Sequence, residues 1–309
     1  MDEIDKIASK HLGKKPDGGP ASKYRSQFEI DENLLVRIPR SLNREHDKIK
    51  NEDLPFFGWD VWHAFEFSFL LSNSYPVTGL LKIIYPCESR YIMESKSLKL
   101  FLNSFNFVKF DGNHQTARKR ATNKVIEILS NFLNTEVYAS FHEKSTQEQN
   151  NIFSDYVPLE DSIDLEKENF DIFKQDTSLL QTERCLEPNG FKVSSRSLRS
   201  NCRVTNQPDW GDIFIKIVGS RSPSKLSLLK YIISMRQENH FHEEICEHVF
   251  KTLSDLLPRS KVLVACLYTR RGGIDINPIR INHKSFLNED SFLNSLLDLK
   301  IPFSKTFRQ

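Results

Sequence analysis

Cys202 and Asp209 stand seven residues apart in the run Asn201–Gly211 (NCRVTNQPDWG). A thiolate is a strong nucleophile, and a carboxyl group within reach can take up its proton or hand one to a developing product. Pro208 and Gly211 mark the run as a loop that feeds a strand from residue 212. Taken alone, the run also suits a small buried cysteine beside an ordinary turn. A second run, Asn239–Glu243 (NHFHE), opens a predicted helix. There His242 can exchange protons near neutral pH, Glu243 can accept a pair of donors and Phe241 can cover a flat ring. A solvated first helical turn would carry the same residues. A third run, Glu94–Lys99 (ESKSLK), opens another helix, where Ser95, Lys96 and Ser97 offer a phosphate hydroxyls, amides and charge. The fourth, Thr269–Gly273 (TRRGG), sets Arg270 and Arg271 beside two glycines, which suits a phosphate or a plain basic turn.

Metal and Rossmann chemistry fit less well. His240, His242, Cys246 and His248 lie close in sequence, but the chain has no HExxH and no Cys-x-x-Cys, so no metal is expected. No GxGxxG follows a strand and no Walker loop is present, so a dinucleotide would not bind through a Rossmann crevice.

These runs need elements to hold them. Residues 60–71 and 77–85 are rich in β-branched and aromatic side chains and read as strands. Residues 94–105 set Leu98, Phe101, Leu102 and Phe105 at helical spacing, 115–133 is a second helix and 136–141 a strand. The polar, acidic stretch 142–195 reads as a connection with one or two short strands. The order then returns as strand 212–218, helices 224–236 and 240–257, and strand 261–268. LKLFLNS at 98–104 is echoed by LKYIISM at 229–235. Strand pair, two helices, strand pair, written twice, implies an α+β chain of two units, each an antiparallel sheet with two helices on one face. The expected divisions are a flexible lead-in at 1–30, a first unit at 31–145, a connecting segment at 146–195 and a second unit with Cys202 at 196–309.

Composition sets the surroundings. Hydrophobic residues at 39% and charged residues at 27% fit a soluble globular protein. The 43 basic and 41 acidic residues give a net charge of +2, no reason to expect a nucleic acid partner, though a local basic pocket is compatible with it. No segment approaches the roughly 20 apolar residues that cross a bilayer. The first residues lack the apolar run of a secretory signal, and the five cysteines are odd in number without paired spacing. A reducing, cytoplasmic setting is expected, with no membrane partner.

Taken in order, ESKSLKLFLNSFN (94–106), NCRVTNQPDWG (201–211), RQENHFHE (236–243) and YTRRGGIDINP (268–278) resemble the 7-cyano-7-deazaguanine reductases. PRSLNR (39–44) and LPFFGWDVW (54–62) resemble the long, two-module branch of that family. The resemblance implies two tandem tunnelling-fold modules, a homodimer, and reduction of a nitrile to a primary amine by two NADPH in queuosine biosynthesis. The substrate would be a free deazapurine base, before its insertion into tRNA. Residue by residue, it implies that Cys202 adds to the nitrile to form a thioimide, that Asp209 protonates the nitrile nitrogen and that His242 supplies a later proton. Glu94 and Glu243 would bind the base edge, and Phe241 would cover the ring. Ser95, Lys96 and Ser97 belong to a motif associated with NADPH, while Arg270 and Arg271 are our own assignment to its phosphates. Arg203 departs from the apolar residue or proline common at its position; it either favours the thiolate or points to solvent. Met235, Glu238 and His240 also depart from the commonest wording. The rival readings are a zinc-dependent cyclohydrolase on the same architecture and an RNA-binding module without catalysis.

Overall fold

Alternation along Phe57–Leu71 sends Trp62, Ala64, Phe67 and Phe69 to one side and Val61 to the other, with a bulge between Ala64 and Phe67 restoring the phase. A strand with apolar residues on both sides must be covered on both sides. The computed structural model of the protein describes residues 28–144, 152–187, 189–203 and 205–309, so residues 1–27 of the expected lead-in lie outside the described residues. Its first half runs β1 (Arg37–Pro39), α1 (Ser41–Arg44), β2 (Phe57–Leu71), β3 (Pro76–Pro86), β4 (Tyr91–Met93), α2 (Ser95–Asn103), β5 (Lys109–Phe110), α3 (His114–Leu133) and β6 (Tyr138–His142). Two short strands, β7 (Val157–Pro158) and β8 (Thr182–Arg184), lie in the connection. The second half runs β9 (Phe191–Cys202), β10 (Pro208–Val218), β11 (Arg221–Pro223), α4 (Lys225–Ser234), β12 (Asn239–His240), α5 (His242–Leu256), β13 (Lys261–Tyr268) and β14 (Ile274–Ile281). Two short helices follow, α6 (Ser285–Glu289) and α7 (Ser291–Leu297).

The result is a mixed α+β chain built on one sheet ordered β12-β9-β10-β13-β14-β2-β3-β6, with β5 beside β2 and β7 beside β9. The halves repeat each other in detail. β5 lies parallel to β2, with Leu71 opposite Phe110, as β12 lies parallel to β9, with Cys202 opposite His240. Ser104 Oγ donates to Phe101 O and accepts from Asp31 N; Ser234 Oγ does the same with Tyr231 O and Asp176 N. This equivalence pairs Leu98 with Leu228, one residue off the sequence echo. The expected closing strand pair is corrected in the first half, where β6 alone follows α3 before β7 among the described residues. β6 ends the sheet order, and the halves join at the other side of the first half, where β14 pairs with β2 from Ile274–Ala64 to Ile281–Phe57. Gly58 permits that approach, since a Cβ there would stand 2.0 Å from the Ile279 carbonyl oxygen.

Helices α2 and α3 cover one sheet face with Leu98, Phe101 and Leu129, and α4 and α5 cover its continuation with Leu228, Ile232, Ile245 and Val249. The opposite face packs against α6 and α7 through Phe286, Phe292 and Leu296. Among the described residues no helix is long and apolar enough to cross a membrane. A buried charge cluster also spans the β14–β2 joint. Glu247 of α5 accepts from Arg44 Nε (2.8 Å) and Arg280 Nη2 (2.8 Å), and Asp60 of β2 accepts from Arg280 Nη1 (2.9 Å) and from Arg40. All five side chains are buried.

Candidate active site

Cys202 ends β9, half-buried, and its N–H donates to Gln207 O across the hairpin (2.8 Å). The expected loop at 201–211 is corrected here: Pro208–Gly211 already belong to β10, with Asp209 opposite Ser200. Because Cys202 faces Gln207, Asp209 two residues on is its diagonal neighbour on the same side of the hairpin. The β12 strand fastens the start of α5 to this spot, with His240 opposite Cys202 and Asn201 N donating to Glu238 O (2.8 Å). Glu244 then reaches back to accept from Phe241 N (2.7 Å), half of a capping box that fixes the first turn carrying His242 and Glu243.

His242 lies flat on Tyr268 of β13, with ring centroids 3.7 Å apart and planes 5° from parallel. Its Nε2 stands 3.3 Å from Asp209 Oδ2. The other carboxylate oxygen accepts from Arg271 Nη1, while Arg271 Nη2 donates to Gln207 Oε1 (2.5 Å). Arg271 sits on a tight turn made by Gly272 and Gly273 at φ +58° and +79°, a region glycine enters without strain. A cavity of about 430 Å³ opens at the junction of the halves. Met93, Glu94, Ser95, Lys96 and Lys99 line it from the first half, and Cys202, Asp209, Phe241, His242, Glu243 and Arg271 from the second.

All but two of the residues singled out from sequence thus converge. Ser97 is buried beneath the cavity, its Oγ donating to Glu94 O (2.7 Å) and accepting from Val36 N (3.0 Å), so it builds the helix start. Arg270 turns away, its guanidinium 3.5 Å over the Phe65 ring. Glu94 caps α2 by accepting from Lys96 N (3.1 Å) and Ser97 N (2.6 Å), which occupies the amides expected to meet a phosphate. A carboxylate has about four acceptor positions, so this capping role leaves capacity for a ligand donor. Lys99 and Gln207 line the cavity without having been flagged; Lys99 was legible as the next lysine on the Lys96 face of α2. Arg203 is committed to Glu244 (2.8 Å) and Asn43 (2.7 Å). The clustered metal candidates diverge, His240 to Glu244 (3.3 Å), His248 to Asp47 (2.8 Å) and Cys246 to the Pro278 carbonyl (3.4 Å). By the repeat, Leu71 and Ser224 occupy the positions equivalent to Cys202 and Glu94, so among the described residues the repeat carries no second copy of this pair.

Environment separates the two carboxyl groups of the second half. Burial works to raise Asp209, but the hydrogen bond and charge of His242 and the Arg271 guanidinium outweigh it and hold the carboxyl below its ordinary range. Glu243 is pushed up to about 8 by burial, with Asp60 adding to the effect against the pull of Arg40 and Arg280. Its Oε1 has no hydrogen-bond partner among the described residues. The folded protein therefore keeps a proton on Glu243 that the unfolded chain has released above pH 4.5, and stability falls as pH rises from there toward 8. Glu243→Gln should remove that slope. Its thermal midpoint should climb relative to wild type between pH 5 and 8; a gap that stays constant would mean that Glu243 is already ionised in the fold.

A family model described as nitrile reductase, 7-cyano-7-deazaguanine-reductase N-term, matches residues 24–140, and one described as QueF-like protein matches 208–286. An NADPH-dependent 7-cyano-7-deazaguanine reductase of Colwellia psychrerythraea is 34% identical over 291 residues, covering 94% of this chain and 95% of the relative. The chain belongs to the NADPH-dependent 7-cyano-7-deazaguanine reductase family. Reductases of the same name from Cupriavidus metallidurans and Rickettsia massiliae are each 35% identical over 268 residues, 86% and 87% of this chain and 93% of each relative. It is an NADPH-dependent oxidoreductase, as the resemblance implied. The reductase cavity suits an anionic dinucleotide by its donors, since Lys96, Lys99 and Arg271 bring cationic groups to its wall and Ser95 a hydroxyl.

Proposed function

We propose that this reductase converts the nitrile of 7-cyano-7-deazaguanine to the primary amine of 7-aminomethyl-7-deazaguanine through a covalent thioimide on Cys202, as a step of queuosine biosynthesis. One observation carries the reading: Cys202, Asp209 and His242 share a single cavity with Glu94 and Glu243 at the junction of the halves. A bare nitrile accepts hydride poorly. Addition of a thiol across C≡N gives C(=NH)–S, whose carbon is more electrophilic once the nitrogen is protonated.

Asp209, held as a carboxylate by His242 and Arg271, has no proton to give at the outset. It takes the Cys202 proton as sulfur attacks carbon, then passes it to the nitrile nitrogen, acting as base before it acts as acid. His242, 3.3 Å from Asp209, supplies a proton as the amine forms. Glu94 and Glu243 accept the N–H donors on the base edge, and those donors favour the ionised form of Glu243. Phe241 covers the ring. Ser95, Lys96, Lys99 and Arg271 would hold the phosphates of NADPH. When bound, NADPH supplies hydride, two equivalents for the four-electron change from nitrile to amine.

We further propose that the halves are tunnelling-fold modules at 31–145 and 196–309, joined by the 146–195 segment. The protein would act in the cytoplasm as a homodimer on the free base, without binding nucleic acid. The test is NADPH oxidation with 7-cyano-7-deazaguanine at neutral pH, with the product weighed by mass spectrometry. Two NADPH should disappear per amine formed. A product formed without NADPH consumption, with activity lost on zinc chelation, would overturn the reading in favour of a hydrolase.

A further inference from the structure

We propose that Arg271 is a positioning residue for nitrile addition: bonded at once to Asp209 and Gln207, it fixes the charged carboxylate beside Cys202, ready to take the thiol proton. The inference rests on the covalent reading above and departs from the sequence expectation that Arg271 serves only cofactor phosphates. Gln207 is the residue facing Cys202 across the hairpin, so the guanidinium fork clamps both hairpin positions next to the nucleophile. The clamp is anchored on its own backbone, because Arg271 and Ile274 exchange both N–H···O bonds (2.9 and 3.1 Å) around the two-glycine turn.

Asp209 is 3% exposed, and a carboxylate so buried needs a cation to stay charged. Its neighbours are few. From α5, His242 Nε2 stands 3.3 Å from Asp209 Oδ2, and Glu243 is held protonated at neutrality by burial. From β13, burial keeps the Tyr268 hydroxyl neutral, and Lys96 and Lys99 line the same cavity from α2. Among the described residues bonded to Asp209, Arg271 is the one permanent cation. The Arg271 side chain is itself one-third exposed, at 34%, so its contacts here are polar ones that substitution removes without opening the core. The step balances without an oxidant or reductant. The S–H bond breaks with its proton going to Asp209, the S–C bond forms, and one C≡N π pair becomes the N–H bond as Asp209 gives the proton back.

The experiment uses the full chain without NADPH, so that addition is read apart from hydride transfer. The rate of adduct formation with 7-cyano-7-deazaguanine is followed by mass spectrometry from pH 4.5 to 8 for wild type, Arg271→Gln and Arg271→Lys. Without the guanidinium the Asp209 carboxyl rises, so the acid limb of the profile should move upward in Arg271→Gln by about one pH unit or more. Arg271→Lys should restore part of the shift. An acid limb that stays at the wild-type position in Arg271→Gln would overturn the proposal and leave Arg271 a cofactor ligand. A wild type that forms no adduct at all overturns the covalent reading and this role with it.

Discussion

Cys202→Ala should abolish both adduct formation and NADPH consumption, while the variant should still bind 7-cyano-7-deazaguanine and unfold within a degree or two of wild type. The expected loss is at least about four orders of magnitude in turnover, the scale on which removal of a covalent nucleophile acts. No other thiol can substitute. Cys246 on α5 and Cys266 in β13 are fully buried, Cys87 is fully buried with its thiol pushed far up by burial, and Cys185 lies outside the cavity lining. Stability should hold because Cys202 sits half-buried at a strand end, where truncation to alanine deletes one sulfur and opens no cavity in the core. Isothermal titration for binding and mass spectrometry for the adduct separate the two roles. Wild-type NADPH consumption by the alanine variant would mean direct hydride addition to the nitrile, and the thiol would lose its place in the chemistry.

Periodicity made the helices legible: 94–105 and 115–133 emerge as Ser95–Asn103 and His114–Leu133, because Leu98, Phe101, Leu102, Val125 and Leu129 bury one stripe each. The strand at 261–268 is found residue for residue, being apolar on both sides. Two central strands escaped the reading for opposite reasons. β9 (FKVSSRSLRSNC) hides its core positions among serines and arginines, and Ser195 and Ser200 are themselves buried. β14 carries Pro278, which argues against a central strand. The structure tolerates it because the β13–β14 ladder runs no further toward the cavity than Ala265–Ile279, so the two strands part where the site opens. The motif residues were legible as types; which contact each makes was not. Ser97 and Arg270 differ from Ser95 and Arg271 only in the direction their backbone points them, and sequence spacing does not carry that direction. Nor did any local pattern reveal the cluster of Arg40, Arg44, Asp60, Glu247 and Arg280, since its members come together only when β14 meets β2.

That cluster leads to the largest expected stability effect. Glu247→Gln should cost about 3–5 kcal/mol at pH 7, the usual penalty for removing one partner from a buried ion pair. Glu247 faces Arg44 and Arg280, with Arg40 at 3.6 Å, and its loss leaves three buried guanidinium groups against Asp60 alone. Burial opposes its ionisation, yet Arg280, Arg44 and Arg40 together hold its pKa down at about 2. A drop from 4.5 to about 2 is itself worth on the order of 3 kcal/mol, in line with the mutational scale. Because the folded value is depressed, this stability is fully present above about pH 4.5 and is lost as pH falls toward 2. The difference in urea midpoint between wild type and Glu247→Gln should therefore be large at pH 7, shrink below pH 4.5 and close only near pH 2. Glu243, one helical turn earlier, feels the same Arg40 and Arg280. With Glu247 neutral those cations should draw Glu243 into its ionised form, recovering part of the lost stability. The two substitutions should then be non-additive: the gain from Glu243→Gln at pH 8 in the wild-type background should vanish, or reverse, in the Glu247→Gln background. Additive midpoints would separate the charge cluster from the cavity and restrict its role to joining the two halves.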